Sequence, residues 1–386
     1  MDADGDGPST YLDVPGPSYP AVGYRPKAVP ASPKRRTPAL RADWLGKSCR
    51  LRQKLPAAAR QLLLVLLAGF PIAGSAPALE LDLPMRCEPG RDCWIAHHLD
   101  HDPGPGLRDH TCGTLTYDGH DGVDFAVADL AAMAQGIEVR AAAAGIVRGV
   151  RDGEPDQRVE ERGRAAIAGR ECGNGVLLDH GEGWQTQYCH LRRGSVVVAP
   201  GDRVTVGAPL GLVGLSGLTS FPHLHFEVRQ GRLTIDPFTA RPSGEGSCGT
   251  AERGLWRPEA AAALTYVAVP LSGLGVAERE PERSELDRGL HQSAALAADA
   301  PALVVWARGF GLRKGDRWRL RLLDPDGRPV VDRSLEQDRD QAFAIRWAGR
   351  RRPEGGWPGG IWRASVEVRR DGRTFALERT VVILPP

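Results

Sequence analysis

The chain carries almost no net charge: 50 Lys and Arg against 48 Asp and Glu leave a formal +2 over 386 residues. With 41% hydrophobic and 25% charged residues, that balance excludes a disordered polyelectrolyte and a dedicated nucleic-acid binder. No apolar run is long enough to span a bilayer, since LLLVLLAGFPIA from Leu62 to Ala73 falls well short of the ~20 residues required. There are no paired Cys-x-x-Cys knuckles, which argues against a zinc-thiolate site. There is also no helical repeat and no glycine loop of the kind that cradles phosphate. Punctuation is abundant instead: 47 Gly and 31 Pro favour many short strands and turns over long helices and exclude a helix bundle.

Residues 1–45 contain eight prolines and no hydrophobic periodicity, and are expected to be disordered. Lys47, Arg50, Arg52, Lys54 and Arg60 then precede the apolar run, which closes on GSAPA. This is the pattern of a secretory signal, assigned to residues 46–78 with cleavage after Ala76 or Ala78. The leader ahead of it is long for a signal peptide and leaves room for a translation start downstream of Met1. After cleavage no stable membrane span is expected.

Cleavage removes Cys49 and leaves Cys87, Cys93, Cys112, Cys172, Cys189 and Cys248. An even number suits disulfides in an oxidising compartment. Cys87 and Cys93 flank the turn EPGRD, and Cys172 lies nearly opposite Cys189 if the segment between them is a hairpin turning at His180 to Gly183. Cys112 with Cys248 is the remaining pair.

The mature chain divides by texture. Residues 79–113 are polar, cysteine-stapled and rich in Asp and His. Residues 114–242 carry short alternating apolar stretches bounded by Gly, Pro, Asn or Asp, which predict an all-β domain of hairpins. The charged run from Arg151 to Glu171 interrupts them as a solvated loop or short helix. A linker is placed at 243–265. Residues 266–386 alternate again, with turns such as DPDG and RDG, and predict a second β-domain, most simply a sandwich.

Chemistry concentrates in the first β-domain. His120 and Asp124, in GHDGVDF, share one face of an extended strand, and Gly122 between them lets the backbone pass close to something. In PHLHFEV, period-two alternation sends His223, His225 and Glu227 to one face and Leu224, Phe226 and Val228 to the other. His190 ends the strand WQTQYCH. Two imidazoles and a carboxylate are a common catalytic zinc set. The surplus is informative, because metal-assisted hydrolysis also needs a general base and a group to stabilise the oxyanion.

At these residues the sequence resembles the lysostaphin-type (LytM-like) zinc endopeptidases of bacterial cell walls. YDGHDGVDF is similar to the family's first motif, GNGVLLDHGEGWQTQYCHL to its central hairpin, and GDRVTVGAPLGLVGLSGLTSFPHLHFEV to its closing segment. The resemblance runs from about Tyr117 to Phe238. It implies a small all-β domain of the duplicated-hybrid-motif type whose sheet forms a groove. It implies one Zn2+ held by His120, Asp124 and His225, with His190 and His223 as the catalytic histidines. The implied activity is hydrolysis of peptide bonds in peptidoglycan stem or cross-link peptides by metal-activated water, in the periplasm or cell envelope. All five positions are filled, which argues against the degenerate members that only bind or activate other hydrolases; a general secreted zinc protease is the other alternative. Two departures stand out: GLTSFPHLH lacks the glycine the family commonly shows next to the proline, and the insertion from Arg151 to Glu171 lies in a groove-forming loop region.

Other polar groups read more plainly. His97, His98, His101 and His110, with Asp92, Asp100, Asp102 and Asp109, are expected in solvated or capping turns rather than in a second metal site. Glu227 and Tyr117 are candidates for supporting the site. His180 and His291 carry no partner pattern. Residues 301–386 hold 18 Arg and Lys against 11 Asp and Glu, read as an Arg-rich solvated surface in preference to an anionic-polymer site.

Overall fold

The computed structural model describes residues 11–12, 79–244, 248–249 and 254–385. The signal pattern and nearly all of the Pro-rich leader lie outside these residues. Among the described residues no helix is long and apolar enough to cross a membrane.

After a two-residue strand, β1 (Tyr11–Leu12), the histidine-bearing half is built from β2 (Cys93–His97), β3 (Val123–Val127), β4 (Glu138–Arg140), β5 (Gly145–Arg151), β6 (Asn174–Gly181), β7 (Trp184–Leu191), β8 (Arg203–Val204), β9 (Pro209–Leu212), β10 (His223–Gln230) and β11 (Leu233–Thr234). One sheet runs in the order β2-β3-β10-β7-β6-β5-β8, with β11 on the end of β10, while β4 and β9 pair separately. Every neighbour in the larger sheet is antiparallel.

Period-two alternation gives this sheet two different faces. Leu224, Phe226 and Val228 of β10 are buried with Val123, Phe125 and Val127 of β3 and with Tyr188 of β7. Full burial of such a side chain contributes roughly 1.5–3 kcal/mol. Leu81 and Met85 join that core, as do Leu255, Trp256, Ala260 and Leu264 from the stretch expected to link the two halves. The opposite face carries the histidines.

The C-terminal half comprises β12 (Leu271–Ala277), β13 (Ala295–Ala297), β14 (Ala302–Leu312), β15 (Arg317–Leu323), β16 (Pro329–Glu336), β17 (Gln341–Arg351), β18 (Gly360–Arg370) and β19 (Arg373–Leu384). Two sheets, β1-β17-β14-β12 and β13-β19-β18-β15-β16, pack face to face over Val305, Ala307, Trp318, Leu320, Trp362 and Val366. The expected all-β architecture with a C-terminal sandwich is the one the chain adopts. The first of these sheets is buried on its outer face too, where Val304, Trp306, Ile345 and Trp347 meet Leu286.

The sandwich is docked on the histidine-bearing sheet. Ala96, Leu115, Ala126 and Phe310 form a buried cluster with Phe221 and Phe343 against it. Phe221 lies 5.3 Å from Phe310 and 6.2 Å from Phe343, centroid to centroid. A buried pair, Arg308 and Asp129 at 3.0 Å, crosses the same boundary.

All three expected disulfides are present: Cys87–Cys93, Cys112–Cys248 and Cys172–Cys189. The His- and Asp-rich stretch departs from expectation. His97, His98, Asp100, His101 and Asp109 are buried rather than solvated. Their partners come from far along the chain: Nε2 of His101 stands 2.6 Å from Oδ2 of Asp236, and the Tyr266 hydroxyl donates to Asp109 at 2.7 Å. The capping role does hold, since Asp109 accepts from the backbone N–H groups of Thr111, Gly113 and Leu115.

Candidate metal centre

The register of the sheet sets Asp124 of β3 directly opposite His225 of β10. Oδ1 of Asp124 lies 2.9 Å from Nδ1 of His225 and 3.1 Å from Nε2 of His120, and those two ring nitrogens are 3.2 Å apart. Atoms bound to a zinc at about 2.0–2.1 Å and tetrahedral angles stand roughly 3.3 Å apart, so the donor set fits one such ion with its fourth position open. A second grouping of metal-type donors, Cys87, Asp92 and Cys93, has its sulfurs committed to a disulfide. Gly122 makes the close approach feasible: a Cβ there would lie 2.7 Å from Cε1 of His225 and 2.7 Å from the Phe226 carbonyl oxygen.

Each donor is oriented from behind. Nδ1 of His120 donates to the His98 carbonyl at 2.6 Å, which leaves Nε2 as the donor atom facing the cluster. Nε2 of His225 stands 3.3 Å from Oδ1 of Asp121. Burial opposes charge on His225, but its bonds to Asp121 and Asp124 outweigh this and push its pKa up to about 10. Burial would raise the pKa of Asp124, yet His120 and His223 hold it well below the usual carboxylate range. With no ion bound, the negative charge of Asp124 is thus matched by protonated imidazole, a proton that a metal ion would displace.

His97 was expected in a turn. It lies instead on β2, where a register shift between Ile95 and His97 places it opposite Asp124. Burial lowers its pKa, so the neutral ring donates from Nδ1 to Oδ2 of Asp124 at 3.0 Å. The Tyr117 ring packs 4.3 Å from that of His120 and 5.2 Å from that of His97, while Glu227 is taken up by Arg229 at 2.6 Å.

His190 and His223 complete the group, with ring centroids 4.7 Å apart. Strict alternation would turn His190 to the core side with Tyr188. The register between β6 and β7 shifts at this point, from Val176 opposite Tyr188 to Asn174 opposite Leu191, so β7 holds one residue more than its partner. His190 sits in that bulge with φ 62°, which swings its ring to the cleft. Its N–H donates to the Cys172 carbonyl at 2.8 Å and its Nδ1 to the Ser216 carbonyl at 2.7 Å, so Nε2 is left as an acceptor. Burial, then the nearby rings of His223 and His225, hold its pKa well below the ordinary value. His223 donates from Nδ1 to the Phe221 carbonyl at 2.9 Å, and its Nε2 lies 3.4 Å from Oδ1 of Asp124.

These side chains line a cleft of about 550 Å³. The insertion supplies Arg158 and Glu161 to its wall, and the C-terminal sandwich supplies Arg283, Gln341 and Phe343. Sequence reasoning brought together His120, Asp124, His190, His223 and His225, and the structure gathers all five. It missed His97, Asp121 and the contribution of the sandwich. Only Asp121, inside GHDGVDF, carried a local signal.

Residues 118–237 match Peptidase family M23. An uncharacterized metalloprotease of Haemophilus influenzae is 33% identical over 128 residues, which cover 33% of this chain and 22% of that protein. The DD-carboxypeptidase/endopeptidase Mpg of Neisseria meningitidis serogroup B is 32% identical over 129 residues, 33% of this chain and 24% of that protein. The peptidoglycan DD-endopeptidase ShyA of Vibrio cholerae is 39% identical over 57 residues, 15% and 13% of the two chains. The chain thus spans no more than 24% of the length of these curated relatives.

Proposed function

We propose, from the premise that residues 118–237 are a domain of peptidase family M23, that the chain is a secreted zinc-dependent endopeptidase that cuts peptide bonds in peptidoglycan. The observation that carries the reading is the set of three donor atoms separated by 2.9 to 3.2 Å, beside two further imidazoles on one cleft. Nε2 of His120, Oδ1 of Asp124 and Nδ1 of His225 would hold the zinc. Bound there, the ion would polarise a substrate carbonyl and lower the pKa of a water.

This chain's other groups divide the remaining work. His190 keeps Nδ1–H on the Ser216 carbonyl and stays neutral through burial, so its Nε2 accepts the proton of the attacking water. His223, fixed by the Phe221 carbonyl and by Thr219, faces the developing oxyanion with Nε2 and steadies it when that nitrogen carries a proton, while the proton that His190 takes from the water passes on to the leaving amine. Three disulfides support action outside the cytoplasm, in the periplasm or cell envelope.

The test is digestion of purified peptidoglycan by the mature chain, with and without a chelator, and identification of the fragments by mass. Soluble muropeptides with newly exposed peptide termini, absent with the chelator, are expected. Cleavage of a soluble protein with intact wall material would point to a general protease. No cleavage of either by zinc-loaded protein would overturn the enzymatic reading.

A further inference from the structure

We propose that Gln341 of the C-terminal sandwich anchors the substrate peptide at a distance from the histidines, donating through its side-chain N–H pair to a carbonyl oxygen of that peptide. The inference rests on the endopeptidase reading and specifies how the substrate is held.

Gln341 is the first residue of β17, is only 5% exposed, and lines the cleft that holds His190 and His223. A primary amide offers one acceptor and two donors, and the two ends of this one are treated differently. Oε1 of Gln341 accepts from Nη2 of Arg346 at 3.0 Å and from Nε2 of Gln337 at 2.8 Å, which occupies both lone pairs. A guanidinium can only donate, so the atom turned to Arg346 is the oxygen and the NH2 group is the end left over.

The rest of the network has no capacity for that NH2 group. Gln337 is fully buried; its Nε2 donates to the Arg339 carbonyl at 2.8 Å as well as to Gln341, and its Oε1 accepts from Nη2 of Arg346 at 2.8 Å and from Nε1 of Trp318 at 3.4 Å. Nη1 of Arg346 donates to the Ile345 carbonyl at 2.8 Å. The Gln341 oxygen is thus held from two sides, and among the described residues its two N–H groups meet no acceptor. The open space beside this residue is the cleft, so the N–H pair is offered there. An unmet donor on a side chain this buried is costly until an oxygen from the cleft meets it, and the charged donor on Oε1 polarises the amide and strengthens its N–H groups.

The place of Gln341 sets which part of a peptide it meets. Ring contacts lead from His223 to Phe221 at 4.7 Å and from Phe221 to Phe343 at 6.2 Å, and Phe343 follows Gln341 by two residues on β17. An extended peptide advances about 3.3 Å per residue. A substrate whose scissile amide lies at the histidines therefore brings a carbonyl to Gln341 a few residues along its chain. The donor is neutral, so it takes a peptide or carboxamide oxygen at that distance and requires no charged group.

The experiment is calorimetry on zinc-loaded mature chain carrying His190→Ala, which slows turnover, with cross-linked stem peptides released from purified peptidoglycan. Gln341→Glu keeps an oxygen for Arg346 and Gln337 but puts an acceptor where the donor pair stood; Gln341→Met removes both. Binding should weaken about three- to tenfold in the Met variant, the scale of a neutral hydrogen bond, and at least as much in the Glu variant. Zinc content should not change, since no ligand is touched. Peptides trimmed by two residues at one end or the other separate contact from packing: one trimmed form should bind parent and variants alike, and the other should keep the full loss. Equal binding of the untrimmed peptides by parent and Glu variant, no binding at all, or a loss that persists in both trimmed forms would overturn the anchor. Hydrolysis by the chain with His190 intact is followed in parallel. Gln341-dependent binding without cleavage would sink the endopeptidase reading alone, and cleavage with affinity independent of Gln341 would sink the anchor alone.

Discussion

Nδ1 of His97 stands 3.0 Å from Oδ2 of Asp124, whereas His120, His223 and His225 all face Oδ1. The carboxylate is therefore held from both ends, and its free rotation is removed before any ion arrives. His97→Ala takes away no donor atom but releases one end of Asp124. Zinc affinity should fall about 10- to 100-fold, the usual cost of losing such a supporting partner. Competition against a chelating dye measures it, and His97→Gln, which keeps an N–H, should recover part of the loss. Unchanged affinity in His97→Ala would reduce the residue to packing.

The division between ligands and proton-handling groups predicts two classes of variant. Mature chain should hold about one zinc, and Asp124→Ala or His225→Ala should abolish it. His190→Ala and His223→Ala should keep most of the metal and lose about a hundredfold or more in rate. Metal analysis of the four proteins separates the classes; full zinc in Asp124→Ala would refute the ligand assignment.

The Cys172–Cys189 bridge lies against the bulge that turns His190 into the cleft, and the Cys172 carbonyl receives the His190 N–H at 2.8 Å. Replacing both cysteines with serine should destabilise the fold by about 2–5 kcal/mol. Denaturant titration reads the loss, and non-reducing peptide mapping of exported protein checks the pairing. Free thiols at both positions would remove the basis of the prediction.

Acid should weaken the fold in two stages outside the histidine-lined cleft. Burial lowers the pKa of His110, so an unfolded chain takes up a proton near pH 6.5 that the folded chain refuses, and stability drops as pH falls below that value. Burial would raise the pKa of Asp109, but hydrogen bonds from Thr111 and Tyr266 outweigh it and lower the pKa. Its contribution is present above the ordinary carboxylate pKa of about 3.9 and is lost as pH falls through the lower folded value. His110→Phe, which keeps the ring stack on Phe238, should flatten the first stage and Asp109→Asn the second in denaturant midpoints measured across pH.

Much of the site was legible because extended strands obey a period of two. Asp124, His223 and His225 fall on the cleft face for that reason alone, and the cysteines of the hairpin could be paired from the same geometry. His190 and His97 mark where that reading stops. Both depend on an extra residue in a strand, at the β6–β7 and β2–β3 pairings, and a bulge reverses the face without leaving a periodic trace. Burial of His98 and His101 was illegible for another reason: Asp236 lies 135 residues beyond His101, and local composition still looks like a polar loop. The missing glycine before Pro222 was visible, but its meaning was not. Phe221 occupies the place and makes the ring contacts with Phe310 and Phe343 that dock the sandwich.

The Cys112–Cys248 bond joins residues 136 positions apart and so closes a covalent circle through which every proposed ligand and both proton-handling histidines are threaded. His97, Arg283 and Phe343 stand outside that circle and reach it only by contact. A scission in the exposed Arg151–Glu171 insertion opens the circle into two arms that remain tied to each other. The proposed donors of the metal centre then stay on one connected molecule, so a nick in that insertion leaves the proposed ligands and both histidines covalently joined.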